Sequence, residues 1–263
     1  MYTLGIDIGS TATKGVILRD GNEIITMAKV NVGAGTSGSQ RVLDGVLSQS
    51  GLGVSDIKYI VATGYGRNRF ELAYQQISEL SCHTKGVSYL VPGVSTIIDI
   101  GGQDAKTIKV NNKGKMESFA MNEKCAAGTG RFLDVMAGVL ETTVDQLGAL
   151  SAQANLDMDI SSTCTVFAES EVISLLSNGV GIPNIVLAIH KSVAKRVCGL
   201  ARRAGVSPLV VMTGGVAQNS GVVRAIEKEL DLPVTIPSNP QMTGALGAAL
   251  LAYEALLENK STV

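Results

Sequence analysis

One short pattern occurs twice in the chain, each time between apolar stretches. Asp7–Lys14 reads D-I-G-S-T-A-T-K and Asp99–Lys106 reads D-I-G-G-Q-D-A-K, so both match D-I-G-x-x-x-x-K. The predicted strands on either side of the two turns are Tyr2–Ile8, Gly15–Leu18, Thr96–Ile100 and Thr107–Val110. An internal repeat in one structural context is a stronger signal than a single short motif. The chain is therefore predicted to contain two related lobes that face each other.

Each predicted turn has the residues of a phosphate-binding loop. Glycines at a strand-to-strand turn let backbone N–H groups surround phosphate oxygens, while hydroxyls and a lysine add donors and positive charge. The candidate phosphate contacts are Gly9, Ser10, Thr11, Lys14, Gly101, Gly102 and Gln103. The alternative interpretation is a pair of ordinary glycine hairpins with structural aspartates, which a matched pair makes less favourable.

Acidic residues accompany both turns. Asp7 and either Asp99 or Asp104 are predicted to hold Mg²⁺ through water or to orient an attacking water molecule. The candidate catalytic residues are Asp7, Gln103 and Asp104, and the sequence leaves open which of them activates water.

The order of predicted elements indicates an α/β fold with mixed sheets, because strands alternate with helices and the hairpin strands must be antiparallel. The 30 glycines are typical of a nucleotide-binding α/β protein, in which backbones approach closely. The lobe boundary is predicted near Pro92-Gly93-Val94, giving an N-terminal lobe of residues 1–93 and a C-terminal lobe of residues 94–263. The final helix, Ala245–Leu257, is compatible with a return to the first lobe.

A third glycine motif follows a predicted buried strand, Leu209–Met212. Paired glycines after a strand permit close approach of a ligand to the backbone, and the amides that follow can hydrogen-bond a ribose or base. The residues concerned are Gly214, Gly215, Gln218 and Asn219, and further candidate nucleotide contacts are Gly128, Thr129, Gly130 and Gln241.

Two of the four cysteines are predicted to lie at helix starts. Cys125 precedes a Gly-rich turn and an amphipathic helical pattern, and Cys164 follows the hydroxyl-rich Ser161–Thr163 and precedes another helix. The positive end of a helix lowers a thiol's pKa and favours metal ligation. The alternative is that both are buried small hydrophobic residues. Cys198 is predicted to pack in the core.

Two cysteines are half of the four thiolates that an iron–sulfur cluster usually requires. A symmetric dimer supplies the other two, so the hypothesis is one cluster on a two-fold axis, held by Cys125 and Cys164 of each chain. The adjacent Cys82 and His83 are predicted to be packing or capping residues, because neighbours in sequence point to different faces of a strand or helix.

The net charge indicates which partners to expect, and the first residues and the cysteines indicate which compartment. The net charge of −1 argues against nucleic acid or an anionic membrane surface as a partner. The first residues lack the pattern of a signal peptide, and four cysteines without dense spacing are typical of a reducing compartment. We therefore expect a cytoplasmic protein without a membrane partner.

These motifs resemble a known superfamily. D-I-G-S-T at Asp7–Thr11, D-I-G-G-Q-D at Asp99–Asp104 and G-G-V-A-Q-N at Gly214–Asn219 resemble the two phosphate motifs and the adenosine motif of the actin, Hsp70 and sugar-kinase ATPases. Within it, N-E-K-C-A-A-G-T-G-R-F-L-D at Asn122–Asp134 and S-S-T-C-T-V-F-A-E-S-E-V-I-S at Ser161–Ser174 resemble the cluster motifs of the activators of 2-hydroxyacyl-CoA dehydratases, in the BadF/BadG/BcrA/BcrD ATPase family.

The resemblance implies a duplicated, ribonuclease H-like two-lobe fold and a homodimeric ATPase. It implies one [4Fe–4S] cluster per dimer, held through Cys125 and Cys164, together with ATP or ADP and Mg²⁺. It also implies low-potential electron transfer to an iron–sulfur dehydratase, with ferredoxin or flavodoxin as the electron donor. A benzoyl-CoA reductase or a double-cubane cluster protein is the alternative partner.

Two other classes of function use the same nucleotide motifs. A small-molecule kinase on this fold would use Asp104 as the base that deprotonates an acceptor hydroxyl. A non-enzymatic nucleotide sensor would bind ATP with negligible turnover. No obvious substrate-specificity insertion lies between the motifs, which argues against the kinase.

Overall fold

The structure, a computed structural model, describes residues 1–160 and 164–261. Its strands are β1 (Tyr2–Ile8), β2 (Thr13–Arg19), β3 (Glu23–Val30), β4 (Ile57–Thr63), β5 (Gln75–Gln76), β6 (Thr96–Ile100), β7 (Ala105–Val110), β8 (Met116–Asn122), β9 (Val210–Thr213) and β10 (Val234–Thr235). Its helices are α1 (Gly38–Ser50), α2 (Glu79–Leu90), α3 (Gly130–Val139), α4 (Val144–Ser151), α5 (Thr165–Ser177), α6 (Ile182–Ala204), α7 (Ser220–Leu230) and α8 (Thr243–Ser261).

These elements form two compact units. Unit 1 comprises Met1–Gly93, Lys113–Met116 and the segment from Gln241 onwards, whereas unit 2 comprises Val94–Asn112 and Glu117–Pro240. Helix α8 therefore belongs with the first strands of the chain. Each unit has its own sheet and its own hydrophobic core.

The two sheets have the same strand order. It is β3-β2-β1-β4-β5 in one sheet and, from the equivalent edge, β8-β7-β6-β9-β10 in the other. In both, the hairpin strands are antiparallel, and the first hairpin strand also pairs in parallel with a later strand: β1 with β4, and β6 with β9. The sheets are mixed, and the repeat in the sequence corresponds to a repeat of the whole sheet.

In unit 1, helices cover both faces of the sheet. Leu4 and Ile6 of β1 pack in one cluster with Leu43 of α1. Gly5 faces the other side, where a Cβ would lie 2.1 Å from the carbonyl oxygen of Ala245 in α8. Glycine at this position lets α8 lie directly against β1, so part of the high glycine content serves close packing.

In unit 2, the long helix α6 lies at the centre of the core. Its Ile189 and Val193 belong to one cluster with Ile98 of β6, Phe132 of α3 and Met212 of β9. This cluster connects the sheet with the helices that follow the two cysteine motifs. Among the described residues, every helix is too short or too polar to span a lipid bilayer.

Candidate functional site

The first hairpin turn is closed by its own backbone. The Gly9 N–H donates to the Ala12 oxygen at 3.1 Å, and the Gly9 oxygen accepts from Ala34 N at 2.9 Å. Ser10 is half-buried and Thr11 is exposed, so the predicted hydroxyl donors lie at the surface of unit 1. The sequence prediction that they contact phosphate stays a prediction.

An ion pair joins the two strands of this hairpin. Asp7 and Lys14 are opposite each other in the β1–β2 register, and Lys14 Nζ lies 3.0 Å from Asp7 Oδ2. The Asp7 side chain is 2% exposed and that of Lys14 is 17% exposed. The lysine head thus reaches solvent while the carboxylate is buried.

The other carboxylate oxygen of Asp7, Oδ1, takes no part in the ion pair with Lys14. Asp7 Oδ1 is buried and has no hydrogen-bond partner among the described residues. Thr63, which is paired with Asp7 in the β1–β4 register, donates instead to the Ile77 oxygen at 2.9 Å. Gly64 has φ +83°, and a Cβ there would lie 2.6 Å from Asp7 Oδ1. A buried carboxylate oxygen without a partner suits a hydrated divalent cation or a reacting water.

The second hairpin has the same backbone turn but places two acids, rather than one, around its lysine. The Gly101 N–H donates to the Asp104 oxygen at 2.9 Å. Lys106 Nζ lies 3.3 Å from Asp99 Oδ2 and 2.5 Å from Asp104 Oδ2, and its side chain is only 1% exposed. Thr213 Oγ1 donates to Asp99 Oδ1 at 2.7 Å. Asp104 is therefore a buried member of an ion-pair cluster, while Gln103 is exposed.

The first turn of helix α3 is hydrogen-bonded to this hairpin. The Gly130 N–H donates to the Gly101 oxygen at 2.9 Å, and the Arg131 N–H donates to the Gly102 oxygen at 2.8 Å. These N–H groups are among those that a helix leaves unpaired in its first turn. The hairpin backbone therefore caps the helix, and a shift of one requires a shift of the other.

The loop that carries Cys125 precedes this helix. Asn122 Nδ2 donates to the Cys125 oxygen at 2.9 Å and to the Ala127 oxygen at 3.2 Å, and Thr129 Oγ1 donates to the Ala126 oxygen. Helix α3 starts only at Gly130, with Thr129 as its N-cap. Cys125 is half-buried in this hydrogen-bonded loop rather than on the helix itself.

Cys164 lies at a helix start, as the sequence predicts. It is the N-cap residue of α5, its carbonyl oxygen accepts from Ala168 N at 3.0 Å, and it is half-buried. The predicted capping hydroxyls Ser161–Thr163 lie outside the described residues. Next to Cys164, Val166 and Phe167 are 64% and 67% exposed, so α5 presents apolar side chains beside the cysteine.

The other two cysteines are chemically different. Cys82 and Cys198 are fully buried, and burial raises the pKa of each thiol to about 12. A thiol with such a pKa is a poor source of thiolate, the form that binds metal. The neighbour of Cys82, His83, lies in α2 with its Nδ1 3.1 Å from Thr243 Oγ1. These positions agree with the packing roles expected for Cys82 and Cys198.

The predicted adenosine motif follows β9. Gly214 has φ +86°, and a Cβ there would lie 2.3 Å from the Ile100 oxygen, so the turn requires glycine. Gly215–Gln218 forms a short 3-10 turn with Gln218 exposed. Asn219 caps α7, because its side-chain oxygen accepts from Gly221 N and Val222 N. That oxygen is already engaged, which makes Gln218 the freer of the two predicted amides.

The remaining predicted nucleotide contacts are divided between the units. Gln241 Oε1 accepts from Lys29 Nζ at 2.7 Å in unit 1. Gly128, with φ +84°, packs over the Arg196 side chain in unit 2, while Gly130 and Thr129 start α3. Neither Gln241 nor Gly128 is part of a hairpin turn.

One element of the repeat was missed by sequence reasoning. Thr63-Gly64 ends β4 and Thr213-Gly214 ends β9, and the two threonines pair with Asp7 and Asp99 in the parallel registers. Both glycines have positive φ. The signal available in the sequence was a Thr-Gly pair after each of two buried strands.

Comparison with known proteins places these sites in context. The BadF/BadG/BcrA/BcrD ATPase family matches residues 4–252. The chain is 61% identical over 255 residues to the activator of lactoyl-CoA dehydratase of Anaerotignum propionicum, and the match covers 97% of this chain and 98% of that protein.

Solved structures give the same result. The activator of the 2-hydroxyisocaproyl-CoA dehydratase from Clostridium difficile, with bound ADPNP, is 54% identical, with a TM-score of 0.96 over 100% of this chain and 98% of that one. A ROK family glucokinase from Streptomyces griseus is 13% identical with a TM-score of 0.59, covering 97% and 100% of the two chains, and this likeness concerns the fold alone. The predicted actin, Hsp70 and sugar-kinase type of fold is confirmed.

Proposed function

The chain belongs to the BadF/BadG/BcrA/BcrD ATPase family, and on that premise we propose that it hydrolyses ATP to activate a 2-hydroxyacyl-CoA dehydratase. Lactoyl-CoA and 2-hydroxyisocaproyl-CoA, from the names of two relatives, are both thioesters with a hydroxyl on carbon 2. The partner's substrate is proposed to belong to that class. A benzoyl-CoA reductase or a double-cubane cluster protein is the alternative partner.

Each hairpin turn is proposed to be a phosphate-binding loop of its own ATPase lobe, the first lobe comprising residues 1–93 with α8 and the second the rest of residues 94–263. Asp7 is the residue best suited to hold hydrated Mg²⁺ or the attacking water, since its buried Oδ1 has no partner among the described residues. Asp104 is less suited: its Oδ2 also has no hydrogen bond among the described residues, but it lies 2.5 Å from the fully buried Lys106 Nζ, whereas the cation beside Asp7 bonds the other carboxylate oxygen. Gln103 remains a candidate for orienting water, since it is exposed at the second turn.

The thiols of Cys125 and Cys164 are chemically suited to bind an iron–sulfur cluster. Both thiols are half-buried, while the two remaining cysteines are buried with raised pKa values. A [4Fe–4S] cluster supplies one-electron chemistry at low potential when bound. Because one chain offers two such thiols, we propose a homodimer in which each copy contributes both, with a ferredoxin or flavodoxin as electron donor.

The observation that carries the proposal is the pair of hydrogen bonds from Gly130 and Arg131 to the second hairpin. These bonds tie the proposed phosphate loop to α3, and α3 packs in one core with α5, the helix that Cys164 caps. A change at Gly101 and Gly102 on nucleotide exchange must therefore alter the start of α3 and the loop before it. The chain's own residues thus provide a route from ATP hydrolysis to the cysteines.

Metal analysis of anaerobically purified protein tests the cysteine assignment. We expect about four irons and four sulfides per dimer in the wild type, and their loss in Cys125→Ala and in Cys164→Ala. Cys82→Ala and Cys198→Ala are the matched controls and retain the iron. Iron that survives in either of the first two variants, or iron-free protein after anaerobic reconstitution, would contradict the assignment.

Activity separates this proposal from its alternatives. ATP turnover that persists in the iron-free variants, with loss of dehydratase activation, is the expected outcome. A phosphorylated small-molecule product formed by Cys125→Ala would instead favour a kinase. Negligible ATP turnover in the wild type would favour a nucleotide sensor.

A further inference from the structure

A cavity of about 410 Å³ lies between α6 and the end of β8, on unit 2. Its lining residues are Ala105, Met121, Asn122, Lys195, Arg196, Val197, Gly199, Leu200 and Arg203. The volume is within the range of small-molecule sites. Side chains alternate along a strand, so Ala105 lies on the opposite face of the sheet from Lys106 and its ion-pair cluster. The cavity therefore lies on the face of the sheet away from this ion-pair cluster.

A glycine in the interior of α6, Gly199, lies at the wall of the cavity. Arg196, Gly199 and Arg203 are spaced i, i+3 and i+7, which places them on one face of the helix. A Cβ at Gly199 would meet no atom within 4 Å. Glycine within a helix costs about 1 kcal/mol relative to alanine. No neighbouring atom requires glycine at this position, because the space next to Gly199 is open.

Positive charge surrounds this space. Arg196 and Arg203 are exposed, and neither has an ion-pair or hydrogen-bond partner among the described residues. Arg202, next to them on the same helix, instead pairs with Glu229 at 2.9 Å, and Lys195 at the rim pairs with Asp159 at 2.9 Å. Two guanidinium groups on one helical face are well suited to bidentate contacts with phosphate oxygens.

The remaining walls are apolar or lead to the cysteine loop. Ala105, Val197 and Leu200 are buried and form an apolar lining. Asn122 is the residue whose amide holds the carbonyl oxygens of the loop that contains Cys125. A ligand in the cavity would contact both the arginines and the residue that fixes this loop.

We propose that this cavity binds a phosphate-bearing small molecule in addition to the nucleotide, and that its occupancy stabilises the Cys125 loop through Asn122. The arginines bind the phosphate and the apolar lining accommodates the body of the ligand. Inorganic pyrophosphate, an adenine nucleotide and a coenzyme A thioester share this chemistry. The proposal goes beyond the activation of a dehydratase and does not depend on it.

Calorimetry with inorganic pyrophosphate tests the site in full-length protein already saturated with MgADP. We expect one pyrophosphate per chain, with at least tenfold weaker binding in Arg196→Gln and in Arg203→Gln. Arg202→Gln is the matched control and binds as the wild type does. Gly199→Leu fills the cavity and abolishes binding, and the arginine variants keep the test valid if that protein does not fold.

Competition identifies the source of the ligand. Coenzyme A and additional ADP are each added to the wild type with bound pyrophosphate. The one that displaces pyrophosphate is assigned as the ligand of the cavity. The absence of saturable pyrophosphate binding to the wild type overturns the proposal. Equal weakening in Arg202→Gln overturns it as well, because binding would then reflect only the charge of the helix.

Hydrogen exchange tests the connection to the cysteine loop. Pyrophosphate is expected to slow exchange of the backbone amides of residues 123–129 several-fold in the wild type. Asn122→Ala is expected to retain binding and to lose this protection. Binding to the wild type without protection of the loop would overturn the proposed role of Asn122.

Discussion

The two hairpins share a sequence pattern, a strand order and a turn, yet they satisfy their charges differently. In the first, Lys14 pairs with the buried Asp7, and Asp7 Oδ1 has no partner among the described residues. In the second, Lys106 is buried between Asp99 and Asp104, and Asp99 also accepts from Thr213. The first hairpin therefore holds one acid beside a partly exposed lysine, and the second holds two acids around a fully buried lysine. Asp104 Oδ2 contacts Lys106 but, like Asp7 Oδ1, has no hydrogen bond among the described residues.

The difference suggests a division of labour. A buried carboxylate oxygen without a partner carries a free-energy cost, and such costs are retained where a ligand or reaction uses the group. The second hairpin, by contrast, has the internal bonds of a rigid element and uses its carbonyl oxygens to cap α3. We infer that the first hairpin contributes chemistry and that the second transmits movement.

Removing the lysine of each hairpin should give the largest effect. Lys106→Ala leaves two buried carboxylates without their cation, and we expect the free energy of unfolding to fall by about 3–5 kcal/mol. Lys14→Ala should cost less, about 1–3 kcal/mol, because only one buried carboxylate loses its cation and the partly exposed site of the lysine head admits water. Urea unfolding of both variants measures the difference, and equal losses would remove the distinction between the hairpins.

The two buried histidines, His83 in unit 1 and His190 in unit 2, also differ in their hydrogen-bond partners. His83 Nδ1 lies 3.1 Å from Thr243 Oγ1, whereas neither ring nitrogen of the buried His190 has a partner among the described residues. Burial lowers the pKa of His190 to about 4, with a smaller contribution from Arg224. An unfolded histidine has a pKa near 6.5, so between these values the unfolded chain binds a proton that the folded chain does not.

Folding stability should therefore fall as the pH drops from about 7 to about 4, by about 3 kcal/mol from this residue. His190→Met removes the titrating group and should remove that part of the acid dependence, while stability at pH 7 stays equal or rises. Urea midpoints at several pH values measure the effect. An unchanged acid dependence in the variant would show that His190 is not buried in its neutral form.

Much of this architecture is predictable from local sequence. Alternating apolar residues and Gly-rich turns locate both hairpins, and the D-I-G repeat by itself indicates two related lobes. The prediction succeeds because hairpin strands pair with their immediate neighbours, so local pattern determines their register.

The features that distinguish the hairpins depend on distant residues. The partner of Asp99 is Thr213, which the β6–β9 register supplies from far along the chain. The bond between Gly130 and the Gly101 oxygen also joins separate elements. The position of Cys125 in a loop before α3 follows from such contacts, because the Gly-rich segment permits either an earlier or a later helix start.

Replacing Asp7 of β1 or Asp99 of β6 by asparagine tests whether the first hairpin contributes the chemistry and the second transmits movement. Asp7→Asn should lower the turnover number for ATP by about 100-fold, equivalent to about 2.7 kcal/mol of barrier, while the protein stays folded. Asp99→Asn should lower the free energy of unfolding, with less than a tenfold effect on turnover of the folded protein, because Asp99 is engaged by Lys106 and Thr213. Steady-state ATPase assays and urea unfolding on both variants distinguish these outcomes, and a reversed pattern would assign the chemistry to the second hairpin.

Weakening the contact between the second hairpin and α3 should give the smallest effect. A Cβ on Gly130 would lie 3.2 Å from the Gly101 oxygen and 3.3 Å from Gly102 Cα, so Gly130→Ala must shift the helix start by a few tenths of an ångström. We expect ATP turnover within twofold of the wild type and about tenfold weaker activation of a dehydratase that the wild type activates, or about 1.4 kcal/mol of coupling. Gly138→Ala, in the same helix with no atom within 4 Å of the added Cβ, is the matched control and should leave both activities unchanged. Parallel loss of turnover and activation in Gly130→Ala would mean that the second hairpin acts in the chemistry of hydrolysis itself rather than in transmitting it to the cysteines.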